Sequence, residues 1–298
     1  MYDTHGLTTE SGQQKYGALD TFTSLEIVQA LNQEDQTVAA RVAQVLPVIA
    51  RVVDEVARSL AEGGRLIYVG AGTSGRLGVL DAAECPPTFG VDYDTIIAVI
   101  AGGDKAVRQA VEDAEDDAQK GRADVQNLGL RPKDCLLGIS ASGRTPYVLG
   151  ALHEARGQGL LTIALSNNLN SKIGKVADIA IEIETGPEVL SGSTRLKAGT
   201  AQKLVLNMIS TAVMVKLGKV YQNLMVDMRP TNAKLVYRAE LMIAKSCHCS
   251  YEEAVQLFEQ TQGNVKAAIV MHERHVDYET AIALLNTHQG IVRKALGN

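Results

Sequence analysis

RLIYVGAGTSGRLGVLDAAECPPT, residues Arg65 to Thr88, decides the fold. Leu66–Val69 is a short apolar run bounded by turn residues, the pattern of a buried strand. Gly70, Gly72 and Gly75 make a loop that only glycine-rich backbone turns tightly, and Thr73 and Ser74 put hydroxyls into it. A helix is expected from about Gly75, ending by Pro86 and Pro87, which cannot continue its hydrogen bonds. Strand, loop and helix N-terminus aim amide donors and a positive dipole end at one place, the makings of an anion site. The lysine of a nucleotide P-loop is missing. The glycines fit G-x-G-x-x-G, but the first acid after the next strand, Asp104, follows Gly75 by about thirty positions instead of about twenty, which disfavours a dinucleotide. The plain alternative is a tight turn that binds nothing. Glu84 stands at the far end of the expected helix.

Outward from this stretch the chain alternates. Strand-like runs are Leu66–Val69, Ile96–Ile100, Cys135–Ile139, Leu161–Leu165 and Ile179–Ile183. Helix-like runs between them are Gly75–Ala83, Asp104–Lys120, Pro146–Arg156 and Ser171–Val176. Continuous apolar strands separated by helices predict an α/β fold: a doubly wound, parallel, five-stranded sheet of flavodoxin-like type, covered on both faces. Ligands of such sheets bind beyond the carboxyl ends of the strands, where the strand order reverses.

A second loop repeats the first. After Ile139 comes Ser140-Ala-Ser-Gly-Arg-Thr145, with Pro146 opening a helix. Thr145 is a plausible N-cap and proline suits the first helical position. Two Ser/Thr/Gly loops on one sheet favour a phosphate monoester over two coincidental turns. The candidate phosphate ligands are Gly72, Thr73 and Ser74 from the first loop and Ser140, Ser142, Gly143 and Thr145 from the second. A third polar segment, Gly186–Thr200, leads into a long apolar helix, Ala201–Leu217; its Glu188 and Lys197 are further candidates for the substrate.

The 298 residues are 46% hydrophobic and 21% charged, the balance of a globular protein. No apolar run approaches the ~20 residues of a membrane span. A formal charge of -5, no basic tract and 4% aromatic residues argue against nucleic acid and anionic membranes as partners. The start, MYDTHGLTTESGQQ, has no signal-peptide core, so the expectation is a cytoplasmic protein whose Cys85, Cys135, Cys247 and Cys249 are reduced thiols.

Residues 1–20 are polar and read as an irregular arm of the kind that lies over a partner subunit. Ser24–Asn32 and Gln36–Leu60 read as helices, with a kink or break at Pro47. Three segments result: an N-terminal arm and helices (1–56), a sheet domain carrying the two candidate phosphate loops (57–220) and a C-terminal helical cap (221–298). The cap holds a repeat. Tyr251, Glu252, Ala254, Leu257, Gln262, Gly263 and Val265 recur as Tyr278, Glu279, Ala281, Leu284, Gln289, Gly290 and Val292 at a constant offset of 27. Cys247-His-Cys249 lacks a second Cys/His pair at zinc-finger spacing and reads as free thiols near a helix end.

No cofactor or metal motif stands out, so the chemistry expected is that of acids and bases alone: isomerisation, aldol steps, elimination or hydration. Glu84, at a helix carboxyl end among Ala82, Ala83, Cys85 and Pro86, has little to stabilise its charge and suits a proton donor. The second group lies in the acidic run Glu112, Asp113, Glu115, Asp116, Asp117. Helical spacing puts Glu112 and Glu115 on neighbouring positions of one face and does not choose between them.

VGAGTSGRLGVLDAAECPPTFG, GISASGRTPYV and GPEVLSGSTRLKAGTAQK closely resemble the N-acetylmuramic acid 6-phosphate etherase family, built on a sugar-isomerase (SIS) domain and related to the glucokinase regulatory protein. The resemblance runs from about Thr23 to the C-terminus. It implies cleavage of the D-lactyl ether of N-acetylmuramic acid 6-phosphate, by a cytoplasmic homodimer without metal or organic cofactor, in peptidoglycan recycling. It also implies roles: Glu84, in AAECPP, matches the family's proton donor, and Glu115, in VEDAED, matches its second catalytic glutamate. The alternatives are a non-catalytic sugar-phosphate-binding regulator and an aldose–ketose isomerase.

Overall fold

The computed structural model describes residues 7–297, which pack as two units. The first takes in the chain up to Ala83 and Asp94–Ser210; the second is Glu84–Tyr93 with the chain from Thr211 onward. The N-terminal helices and the sheet, expected as separate segments, thus share one unit. No single helix among the described residues is long and apolar enough to cross a membrane.

All five expected strands form: β1 (Leu66–Gly70), β2 (Ile96–Ile100), β3 (Cys135–Ser140), β4 (Leu161–Ser166) and β5 (Ile179–Glu182). They are parallel, in the order β2-β1-β3-β4-β5. The order reverses between β1 and β3, where Gly70 pairs with Ile139. The two Ser/Thr/Gly loops therefore leave neighbouring strands at the switch point, where such sheets bind ligands.

Helices before the sheet are α1 (Ser24–Asp35), α2 (Val38–Ala43) and α3 (Leu46–Ala61). The break falls ahead of Pro47, which sits in the first turn of α3. The arm is anchored on its own chain. Asn168 Oδ1 accepts from Thr8 N at 2.9 Å, and Asn168 Nδ2 donates to Thr9 Oγ1 at 2.9 Å. Leu7, Thr9 and Tyr16 are buried against their own chain. Residues 1–6 of the expected arm lie outside the described residues.

Helices α4 (Gly72–Phe89), α5 (Asp104–Arg108), α6 (Ala118–Gln126), α7 (Pro146–Gly157), α8 (Lys172–Val176) and α9 (Lys197–Lys216) follow the strands. Alternation along β1 serves both faces. Ile67 and Val69 pack with Tyr147, Val148, Ala151 and Leu152 of α7. Tyr68, pointing the other way, donates its hydroxyl to Asp81 of α4 at 2.9 Å. Asp81 also accepts from Asn207 Nδ2 at 2.6 Å and Ser210 Oγ at 3.1 Å, which ties α9 to α4.

Two expectations fail here. First, α4 starts at Gly72, not Gly75, and runs through Pro86 and Pro87 to Phe89. The prolines remove two backbone donors, but Cys85, Pro86 and Phe89 are buried and Gly90 N closes the last turn on Pro86 O at 2.9 Å. Burial of that turn outweighs the lost bonds. Second, Asp104–Lys120 is not one helix. Asp113 takes φ 59°, and the Asp117 side chain caps α6 by accepting from Lys120 N at 2.8 Å. Glu112–Asp116 is a run of turns, so Glu112 and Glu115 share no helix face.

The second unit contains α10 (Ala233–Cys247), α11 (Tyr251–Gln260), α12 (Val265–Arg274), α13 (Tyr278–Thr287) and α14 (Val292–Ala295) around its own apolar core. The repeat is structural. Ser250 and Asp277 cap α11 and α13, and each copy breaks on a Gln-Gly pair with positive φ at both residues, Gln262-Gly263 and Gln289-Gly290.

Candidate functional site

The carboxyl edge of β1 and β3 opens into a cavity of about 380 Å³, within the range of small-molecule sites. Ala71, Gly72, Thr73 and Ser74 line it from the first loop, and Ala141, Ser142, Arg144 and Thr145 from the second. Gly192, Thr194, Leu7 and Glu115 complete the wall.

The glycines explain the first loop. A Cβ on Gly70 would come within 2.7 Å of Gly75 N, so β1 and α4 approach closely only because neither position carries a side chain. Gly72 adopts φ 53°. The α4 N-terminus is thereby brought to the strand end, with Thr73 and Ser74 in its first turn.

The second loop is a knot of hydroxyls. Ser140 Oγ lies 2.7 Å from Thr145 Oγ1 and 3.3 Å from Ser142 Oγ, and it accepts from Gly143 N at 3.0 Å. Ser142 Oγ accepts from Arg144 N at 3.2 Å. Thr145 occupies the N-cap position of α7 without a side-chain capping bond, because its hydroxyl faces Ser140 instead. Gly143 is required here: its φ is 68° and a Cβ would meet Ser171 Cβ at 2.4 Å.

Glu115 belongs to this wall although it is remote in sequence. Its carbonyl accepts the Tyr147 amide of α7 at 3.0 Å, which pins the acidic turn to the hydroxyl loop. The residue is solvent-accessible yet borders both this cavity and a second of about 180 Å³. Loss of water around its carboxyl, aided by the Asp116 charge, raises its pKa above the ordinary glutamate value. Glu112 lines the smaller cavity and not the larger.

Hydroxyls, helix-start amides and an arginine are groups suited to an anion, and a carboxyl of raised pKa stands beside them. Comparison with known proteins narrows the reading. The glucokinase regulatory protein N-terminal SIS domain matches residues 48–156, and the SIS domain matches residues 115–212. An N-acetylmuramic acid 6-phosphate etherase of Staphylococcus epidermidis is 50% identical, covering 97% of this chain and 98% of that one. Etherases of a Geobacillus species (52%, covering 97% and 98%) and Pectobacterium atrosepticum (53%, covering 97% and 96%) are as similar. The chain belongs to the N-acetylmuramic acid 6-phosphate etherase family. The fold is shared more widely. A phosphoheptose isomerase of Francisella tularensis superposes with a TM-score of 0.51 at 21% identity, covering 64% of this chain and 98% of that one. One from Neisseria gonorrhoeae gives 0.51 at 20%, covering 64% and 98%.

Within this etherase-family chain the residues singled out from sequence divide. Gly72, Thr73, Ser74, Ser142, Thr145 and Glu115 line the cavity, and Ser140 and Gly143 hold the second loop in shape. Glu188 and Lys197 do not line it. Glu188 is fully buried and accepts the Lys197 and Ala198 amides at 2.9 Å each, capping α9. Burial pushes its carboxyl up, against the opposing pull of those two amides and the Lys197 charge. Lys197 Nζ is buried against Glu34 at 2.7 Å. The third polar segment reaches the cavity through Gly192 and Thr194 instead. Glu84 is also absent from the lining. It is exposed, and α4 continues five residues beyond it, so it neither ends the helix nor sits in an apolar pocket of its own chain. Arg144 was missed. Its signal was present, an arginine inside a Ser/Gly loop at a helix start.

Proposed function

We propose that this chain cleaves the D-lactyl ether of N-acetylmuramic acid 6-phosphate, giving N-acetylglucosamine 6-phosphate and D-lactate in cell-wall amino sugar recycling. About 50% identity to etherases along nearly the whole of both chains carries the reading. The cavity chemistry agrees with it. The 6-phosphate lies among the Thr73, Ser74, Ser142 and Thr145 hydroxyls, the α4 amides and Arg144.

In the open-chain sugar the C2 proton is α to the C1 aldehyde. Glu115, as carboxylate, removes it; a raised pKa makes it the stronger base. The C2–C3 double bond forms as the C3–O bond breaks, and the departing lactate oxygen takes a proton from Glu84. Water then adds back, its oxygen to C3 and a proton to C2. Each positioned proton transfer contributes on the order of 10²–10⁴ in rate. Phosphate anchoring holds C2 and C3 in place for both groups.

The acid comes from a second copy of the chain in a cytoplasmic homodimer. Glu84 follows Gly72 by twelve residues of one helix, about 18 Å at 1.5 Å per residue. That exceeds the span of a hexosamine from its sixth to its third carbon. The α4 face that carries Glu84 also exposes Leu80, 54% accessible in the single chain, as an apolar contact would require.

Incubation with N-acetylmuramic acid 6-phosphate in ¹⁸O-water tests the reading. D-lactate is released and the label enters the C3 hydroxyl of the sugar. Binding without release would make the protein a sugar-phosphate-binding regulator, and label in the lactate would rule out elimination.

A further inference from the structure

The corner of α10, α11 and α12 gathers a set of donors that the lyase chemistry does not use. α10 ends at Cys247; His248 takes φ 52° and turns the chain, and Cys249 follows before Ser250 caps α11. α12 brings His272 and Glu273 to the same corner. Cys249, Glu253 and His272 each offer a donor atom, all within 4.8 Å of one another. Cys247, His272 and Glu273 do the same. No other group of three such donors meets at this spacing among the described residues.

The imidazole is already held between carboxylates. Its Nδ1 lies 3.1 Å from Glu273 Oε1, and its Nε2 lies 3.6 Å from Glu253 Oε1. We propose that Cys249, His272 through Nε2, Glu253 and Cys247 bind one zinc ion, with Glu273 orienting the ring through Nδ1. Two thiolates, an imidazole and a carboxylate are a zinc donor set, and carboxylate-held histidine is the usual outer arrangement. At zinc bond lengths, tetrahedral donors stand about 3.3–3.8 Å apart, so small side-chain rotations close the site. Each thiol has a donor atom of His272 within 4.8 Å, so the imidazole joins the two groups at one corner. Binding releases both thiol protons and one metal staples three helices of the second unit. Cys247 is buried while Cys249, His272 and both glutamates keep access to solvent, which gives the ion a way in.

The full chain, stripped with a chelator and freed of it under reducing conditions, is titrated with Zn²⁺ by calorimetry and with Co²⁺ by absorption. One saturable equivalent per chain is expected, and the cobalt form shows thiolate charge-transfer absorption with the intense visible bands of a tetrahedral centre. Cys249→Ser and His272→Gln, at partly accessible positions, each lose that equivalent with unchanged far-ultraviolet dichroism and unchanged D-lactate release. Glu273→Gln weakens the affinity about 10–100-fold. A wild-type chain with no saturable equivalent, a cobalt spectrum of octahedral oxygen ligation, or an equivalent retained in full by the Cys249→Ser/His272→Gln double variant overturns the proposal. The wild-type cobalt spectrum decides without reliance on any variant, and none of these readings depends on whether the chain is an etherase.

Discussion

The main-chain amide of Tyr147 donates to the main-chain carbonyl of Glu115 at 3.0 Å. One bond thus couples the hydroxyl loop, through the first turn of α7, to the acidic turn that precedes α6. The main chain at Glu115 is thereby held beside the hydroxyl loop before any ligand arrives.

Glu115→Gln keeps that backbone bond and removes only the carboxylate proposed as the base. D-lactate release is expected to fall on the order of 10²–10⁴-fold or more. Stability moves the other way. The folded pKa of Glu115 is raised by desolvation, so its contribution to stability is present below the unfolded pKa and declines as pH rises through the folded one. The variant should therefore unfold at neutral pH at a temperature no lower than wild type. Residual activity near the wild-type rate would remove Glu115 from the chemistry.

The acid limb of the kcat/KM profile should lie above the ordinary glutamate range, because Glu115 must be ionised to act as a base. Desolvation is the first cause of its shift and the Asp116 charge the second. Asp116→Asn deletes only the second cause, so the limb should move to lower pH while the plateau rate is kept. A limb that stays in place, or moves to higher pH, would show that another group governs it.

The sheet was legible because buried parallel strands are apolar on both faces, and both Ser/Thr/Gly loops were legible because glycine and hydroxyl residues cluster where backbone must turn tightly. What escaped was set by packing at a distance. Pro86 and Pro87 signal a helix end, yet the burial of Cys85 and Phe89 carries α4 past them. The acidic run has helical composition, but Asp113 goes left-handed and Asp117 caps the next helix. Glu188 looks like a substrate ligand from its neighbours; that it reaches nine residues forward to cap α9 is a tertiary fact. The family resemblance pointed to Glu115 over Glu112; Glu115 borders the larger cavity, and Glu112 borders only the smaller.

Arg144 and Ser142 share a loop and differ in what they would offer the proposed phosphate. A charge-assisted bond contributes about 1.5–3 kcal/mol, so Arg144→Gln should raise KM about tenfold or more. Ser142→Ala removes a neutral bond of about 0.5–1.5 kcal/mol and should raise KM about two- to tenfold. Melting temperatures should change little in either. An unchanged KM in both would move the phosphate out of this loop.

Glu188→Ala should fail by a different route. It leaves the Lys197 and Ala198 amides unpaired at a buried helix start, and lost caps of this kind cost about 0.5–2 kcal/mol. Chemical denaturation should register that loss, with KM for the substrate near wild type in the protein that remains folded. A large rise in KM with stability intact would return Glu188 to the substrate site.

Glu84 and Glu115 give the sharpest test of the dimer. If each active site takes its acid from one subunit and its base from the other, Glu84→Gln and Glu115→Gln homodimers are both inactive for a reason that mixing repairs. A heterodimer of the two variants has one site carrying both substitutions and one carrying neither. Unfolding and refolding an equal mixture makes about half the dimers mixed, so activity should return to about a quarter of wild type by the two-fold symmetry of such an assembly. Were both groups drawn from the same chain, every site in the mixture would carry one substitution and activity would stay at the level of the single variants. The comparison needs no structure of the dimer, and it separates the 18 Å argument from the catalytic assignment, since the homodimers report on the roles and only the mixture reports on which subunit supplies them.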